Sequence, residues 1–85
     1  MKFGRIVCSK AGRDKGCFMV IVKVNDKRIY VADGKHRKLD NPKPKNPLHL
    51  TKTAAQLDIE DMSTNKLLTQ ALKKFATQAD SREEQ

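Results

Sequence analysis

The chain has 85 residues, of which 18 are Lys or Arg and 10 are Asp or Glu, for a formal charge of +8. That length allows one small domain with an appended element and little core to spare, and it excludes a second globular domain. The charge is uneven: through Lys52 there are 14 basic residues against 4 acidic, and beyond it 4 against 6, so a basic front part points to a polyanionic partner, nucleic acid before an anionic membrane or an acidic protein.

In chain order, Met1-Lys2-Phe3-Gly4 opens no secretory signal, and Arg5 to Cys8 reads as a short first strand. Gly12-Arg13-Asp14-Lys15-Gly16 follows, with two glycines four apart that permit positive φ angles and a close approach of the main chain to a partner. Two readings stand for this segment. It is the tight turn of a hairpin, braced by Asp14, or a backbone loop made to touch phosphate. The run Phe18 to Val24 puts Phe18, Val20, Val22 and Val24 on one face of a strand and Met19, Ile21 and Lys23 on the other. Asn25-Asp26 supplies a turn, Arg28 to Ala32 resumes a β-rich pattern as the second half of an antiparallel hairpin, and Asp33-Gly34 is a stronger turn signal. Lys38 to Asp40 and Pro47 to Lys52 are the expected closing strands. Five short strands predict a mainly β fold, a small partly open barrel.

The segment Asn41-Pro42-Lys43-Pro44-Lys45-Asn46-Pro47 lacks three backbone donors and belongs on an edge or the surface. If it is β-extended, Lys43 and Lys45 project from one side and track a phosphate backbone; otherwise it is a stiff connector. Residues 53–63 turn acidic and read as a linker. Ser63 or Thr64 then caps a helix over 64–79, followed by a frayed tail at 80–85. Leu68, Ala71, Leu72, Phe75, Ala76 and Ala79 form its apolar stripe, with Lys66, Gln70, Lys73 and Thr77 on the polar side. The stripe needs a cover, either the chain's own barrel (residues 1–52) or a ribosomal or other protein partner meeting the helix from Leu68 to Ala79.

In an up-and-down sheet the first and third connections share one end. The loops Ser9 to Gly16 and Asp33 to Arg37, with the residue beyond, therefore bring Lys10, Arg13, Lys15, Lys35, His36, Arg37 and Lys38 to one rim, opposed by Asp14 and Asp33. Cys8 and Cys17 sit in strand-like positions as expected buried free thiols, and the Cys and His pairs lack the tight spacing of structural zinc, so neither metal nor cofactor is expected. No nucleophile-base pair or paired carboxylates stand out, which argues against an enzyme. The aromatic residues Phe3, Phe18, Tyr30 and Phe75 are too few for a platform stacking several bases. The longest apolar run, Cys17 to Val22, is too short for a membrane span, so the expectation is a cytoplasmic protein with no membrane partner.

Gly4-Arg5-Ile6-Val7, then Ser9-Lys10-Ala11-Gly12-Arg13-Asp14-Lys15-Gly16 and the apolar strand, resemble the KOW motif of nucleic-acid-binding SH3-like barrels. The continuation Val31-Ala32-Asp33-Gly34-Lys35-His36-Arg37-Lys38-Leu39, with Pro42-Lys43-Pro44-Lys45-Asn46 and His49-Leu50, is similar to the L-fourteen-e type of large-subunit ribosomal protein and to the small bacterial KOW-domain RNA-binding proteins grouped with it. The resemblance spans about Lys2 to Lys52. It implies an SH3-like barrel that binds RNA, most often ribosomal RNA, in the setting of translation. The motif positions fall on Gly12, Arg13, Lys15 and Gly16, and the second basic block on Gly34, Arg37 and Lys38; Cys17 stands where the motif often carries a lysine or another polar residue. With the rim and the proline segment, the candidate RNA-binding set is Lys10, Gly12, Arg13, Lys15, Gly16, Lys35, His36, Arg37, Lys38, Lys43 and Lys45. Two rival readings use the same barrel, one as a module for an acidic protein and one as a transcription-elongation-type KOW domain that meets polymerase or nascent RNA.

Overall fold

A computed structural model describes residues 2–13, 15–26 and 28–83, with residues 78–83 described as helical backbone. Five strands, β1 (Arg5–Ser9), β2 (Phe18–Val24), β3 (Ile29–Ala32), β4 (Lys43–Lys45) and β5 (Leu50–Gln56), form one antiparallel sheet in the order β4-β3-β2-β1-β5. A helix, α1 (Asn65–Glu83), follows. The first four strands run up and down, and β5 returns to pair with β1. Asn25 and Arg28 exchange both backbone hydrogen bonds across the β2–β3 turn, at 2.9 and 3.3 Å.

The sheet is open, with β4 and β5 as its edges, yet it curls. In a flat sheet those edges would stand about 19 Å apart. Here they are joined through a single 3₁₀ turn, Pro47–His49, whose rise is only about 6 Å. The curl is direct in two contacts: Leu50 pairs with Ser9, and the Lys45 ammonium on the opposite edge donates to the Ser9 hydroxyl at 2.9 Å. Register shifts in the β1–β5 and β2–β3 ladders add local twist of the kind that bends strands.

Two apolar clusters result. Val7, Met19, Ile21, Ile29, Val31 and Leu50 fill the concave side. Ile6, Val20 and Ala32 lie on the convex side beneath Leu68 and Leu72 of α1 and Met62, with Phe18, Val22 and Phe75 packed around them. The Phe18 and Phe75 rings meet edge to face at 5.1 Å. β2 is therefore buried on both faces along Met19, Val20 and Ile21, where alternation alone led one to expect a single apolar face; Val24, at the end of the predicted stripe, is half exposed. The helix stripe covers the chain's own sheet. Ala71 and Ala76 are half-buried within it, and Ala79 falls outside the described side chains.

Four boundaries differ from expectation. Lys38 to Asp40 is not a strand: Leu39 and Asp40 lie in a turn, where Asn41 N–H donates to the Lys38 carbonyl at 3.0 Å. The fourth strand, with Pro44 at its centre, comes instead from the proline segment and lies on an edge of the sheet, the place where a strand tolerates a proline. Pro47 opens a 3₁₀ turn capped by the Asn46 side chain, so the fifth strand starts only at Leu50 and runs on through Gln56. Residues 53–63 are thus no loose linker. They supply the end of β5, held by the Thr53 hydroxyl donating to the Ile6 carbonyl at 2.8 Å, and a second 3₁₀ turn, Ile59–Met62, that carries Met62 into the core. Thr64 caps α1 by accepting from Leu67 N–H at 3.1 Å, and the helix continues through Glu83, into the segment expected to be a frayed tail.

Leu68 is fully buried and its neighbour Leu67 is 42% exposed. Leu68→Ala is expected to cost about 2–4 kcal/mol, a large share of the roughly 5–15 kcal/mol that holds such a domain, and Leu67→Ala about 0.5 kcal/mol or less. Thermal unfolding followed by circular dichroism measures both; equal small shifts would mean that α1 does not share the sheet's core.

Candidate nucleic-acid interface

The meander places the β1–β2 and β3–β4 connections side by side. Arg13 of the first, His36 and Arg37 of the second, and Lys43 at the start of β4 line one concavity of about 330 Å³, together with Cys17, Met19 and Asp33. Four of the predicted residues thus meet around one hollow. Lys10, Lys15 and Lys38 are exposed on the same loops outside it. Lys35 lines an adjoining groove of about 350 Å³ against the helix, with Gly16, Cys17, Phe18, Asp33, Thr69, Leu72, Lys73 and Ala76. On the far side of β4, Arg28, Lys43, Lys45 and His49 surround a third basic hollow.

The first loop is shaped by its glycines. Gly12 and Gly16 have φ of 84° and 86°, and no heavy atom lies within 4 Å of where a Cβ of Gly16 would stand. Gly16 is required for its backbone conformation and not for a close approach. Its N–H donates to the Ser9 carbonyl at 2.8 Å, and Lys15 N–H to the Gly12 carbonyl at 3.3 Å. Those two amides hold the loop together, which takes the N–H groups of Lys15 and Gly16 out of the main-chain phosphate contacts expected near Gly12 and Gly16. Asp14 lies outside the described residues.

Lys45 is corrected more sharply. It is buried, and its ammonium donates to the Ser9 hydroxyl at 2.9 Å and to the Ala11 carbonyl at 3.0 Å. The proline segment is indeed extended, but the curl carries Lys45 beneath the start of the first loop, where it supports the rim from inside. Lys43, two residues earlier, is half-buried and lines hollows on both sides of β4.

The second loop is braced twice. One carboxylate oxygen of Asp33 accepts from the N–H groups of Lys35 and Arg37 at 2.9 and 2.8 Å, while the N–H groups of Asp33 and Gly34 both donate to the Arg37 carbonyl at 2.9 Å. Asp33 is thus a brace for the basic block as well as its opposing charge. The start of α1 then clamps the loop: the Thr69 hydroxyl donates to the Asp33 carbonyl at 3.2 Å, and the Asn65 side chain accepts Leu39 N–H at 2.8 Å. Gly34, at φ 80°, sits so close that an added Cβ would collide with the Asn65 carbonyl and come within 2.6 Å of Thr69 Oγ1.

Sequence reasoning missed Arg28, Lys73, Asn65 and Thr69. Arg28 was legible in principle, because pairing Ile29 with Lys45 sets it beside the end of β4. Lys73 was assigned to the polar side of the helix, although it lies one turn beyond Thr69 and beside Leu72. Cys17 is exposed rather than buried, and Cys8 is half-buried; burial, and then the neighbouring Cys17, push the Cys8 thiol above its usual range. Tyr30 is covered on one side by the Lys23 ammonium, 5.5 Å from the ring centre. Among the described residues no three His, Cys, Asp or Glu side chains gather as metal ligands, and no helix is long and apolar enough to cross a membrane.

No family model matches the chain, and no curated protein matches it.

The two glycines separate two physical roles. Gly16→Ala is expected to lose about 1–2 kcal/mol, from the left-handed backbone alone. Gly34→Ala should lose clearly more, and hydrogen exchange at the Leu39 amide should rise in that variant only, as the collision pries the loop from α1. Equal losses measured by urea denaturation, with Leu39 protection unchanged, would show that the loop does not depend on the helix.

Proposed function

We propose that the chain is an RNA-binding protein of the KOW type, built on an SH3-like barrel and acting in the cytoplasm with the ribosome or the translation machinery. The observation that carries this reading is the concavity in which Arg13 meets His36, Arg37 and Lys43 from separate parts of the chain. Scattered surface cations are common; cations drawn together by topology and held by internal braces make an electrostatic footprint for a polyanion. An open, curled, five-stranded antiparallel sheet is the coarse form of such a barrel. The resemblance of residues 2–52 to the KOW motif supports the finer one.

The mechanism is phosphate recognition by side chains. Arg13 and Arg37 offer planar guanidinium groups that pair with two phosphate oxygens at once, and Lys10, Lys15, Lys35 and Lys38 add point charges on the flanks. Because the amides of Lys15 and Gly16 serve the loop, affinity rests on charge. Recognition then follows the path of the RNA backbone more than base edges. Lys45, Asp33, Asn65 and Thr69 hold the frame.

If about six phosphates are engaged, log K against log salt should have a slope on the order of −4 to −5, and Arg13→Ala or Arg37→Ala should each lower its magnitude by about 1. Titration of the full chain with a structured ribosomal RNA fragment at several salt concentrations reads this directly. A salt-independent affinity, or no change in a variant carrying both Arg13→Ala and Arg37→Ala, would overturn the rim as the binding site.

In cells, cross-linking should attach the protein to discrete ribosomal RNA sites, and on a sucrose gradient it should travel with ribosomal particles until nuclease releases it. A complex that persists after nuclease treatment would make this a module for an acidic protein. Movement with polymerase in place of ribosomal particles would transfer it to transcription.

A further inference from the structure

The groove between the two rim loops and α1 has a different chemistry from the basic hollow beside it. Its floor is apolar, formed by Phe18, Leu72 and Ala76, with Cys17 at one side; Lys35 from the loop and Lys73 from the helix stand at its lips. Both lysines are exposed, whereas Leu72 is 6% exposed. Cys17 and Asp33 line this groove and the basic hollow alike, so the two adjoin. Phosphate does not suit the interior. An apolar floor strips it of water, and Asp33 in the wall adds acceptors and no side-chain donor. A neutral planar group with N–H donors on its edge suits both features, and cations at the lips suit the phosphates on either side of such a group.

We propose that this groove takes one unpaired nucleobase of the RNA whose phosphates lie on the rim, laid against Phe18 and Leu72 with its flanking phosphates on Lys35 and Lys73. The inference rests on the RNA-binding reading and deepens it, because it makes the ligand an RNA with a bulged or looped nucleotide, not an uninterrupted duplex. A volume of about 350 Å³ lies at the small end of ligand pockets and is room enough for a base. Duplex RNA hides its base faces in the stack, so only an extruded nucleotide can enter. Such a base gains contact with an aromatic and aliphatic surface, which single-strand binders use without sequence preference. The helix thereby joins the interface through Lys73, Leu72 and Ala76 as well as bracing it through Asn65 and Thr69.

The test compares two RNA hairpins of equal length and charge, one with a fully paired stem and one with a single bulged nucleotide, titrated against the full chain at fixed salt. The bulged hairpin should bind about tenfold tighter. It should slow alkylation of Cys17, which lines the groove and the hollow alike, more than the paired hairpin does at equal occupancy. Ala76→Trp fills the groove from the helix side and should bring the bulged hairpin to the affinity of the paired one. Lys73→Ala should weaken the bulged hairpin more than the paired one, and it checks the same point should the Trp variant fold poorly. Equal binding of both hairpins by the unmodified protein would overturn the nucleobase site and leave the rim intact. Failure of both hairpins to bind would instead overturn RNA binding itself.

Discussion

A sheet this small with apolar residues on both faces must cover both of them, and the molecule depends on how it does so. Burial of Met19 and Ile21 on one side of β2 and Val20 on the other cannot be met by a flat ribbon. The concave face is closed by the sheet's own curl, drawn tight by the short link between β4 and β5 and by Lys45 reaching Ser9 across the gap. The convex face is closed by α1, whose Leu68 and Leu72 sit on Val20, Ile6 and Ala32. Remove either cover and a row of β2 side chains meets water, with each large aliphatic group contributing about 1.5–3 kcal/mol to the loss. The helix is therefore part of the folding unit.

The same two devices shape the rim. The curl brings Lys45 under the first loop, and the docked helix brings Asn65 and Thr69 against the second. A loop rich in Lys and Arg has little apolar surface of its own to hold it and tends to spread through mutual repulsion. Here each loop is fastened by polar contacts to an element that is itself fixed by apolar burial. Core packing is thus converted into fixed positions for charges at the surface.

How far the sequence alone was legible follows from the range of each interaction. The alternation over Phe18 to Val24 and the turn chemistry at Asn25-Asp26 are local signals, and the observed strand and turn coincide with them. The shared end for the first and third loops needs only meander connectivity, and Arg13 does meet His36 and Arg37 there. What failed was non-local. Lys38 to Asp40 alternates well enough for a strand, but Leu39 N–H is taken by Asn65, 26 residues away, and no spacing rule reveals that partner. Residues 53–56 look loose because the register shift in the β1–β5 ladder breaks their alternation. Lys45 reads as a surface cation from its proline-rich neighbours, and only the closure of the sheet turns it inward. Asn65 and Thr69 carried no signal beyond helix start and helix body, since their importance lies in what packs against them.

Holding and contacting are divided among residues of the same type, and this division explains why charge alone is a poor guide to the site. Lys45 and Asp33 bear full charges, yet both serve the loops from within; Arg13, Lys35 and Lys73 bear theirs at the surface around the hollows. A loop already fixed loses less freedom when a partner binds, so on the proposed reading the frame favours affinity without touching the ligand. The two roles meet at Asp33, Gly34 and Thr69, where the basic loop, the groove wall and the helix share atoms. A change there perturbs stability and binding together. A change at Arg13 or Lys35 leaves the core in place, because both side chains lie exposed at the surface, and on the proposed reading it falls on binding. On the RNA-binding reading proposed above, the contrast between those two groups of positions distinguishes a surface that receives a polyanion from one that merely keeps a small domain soluble.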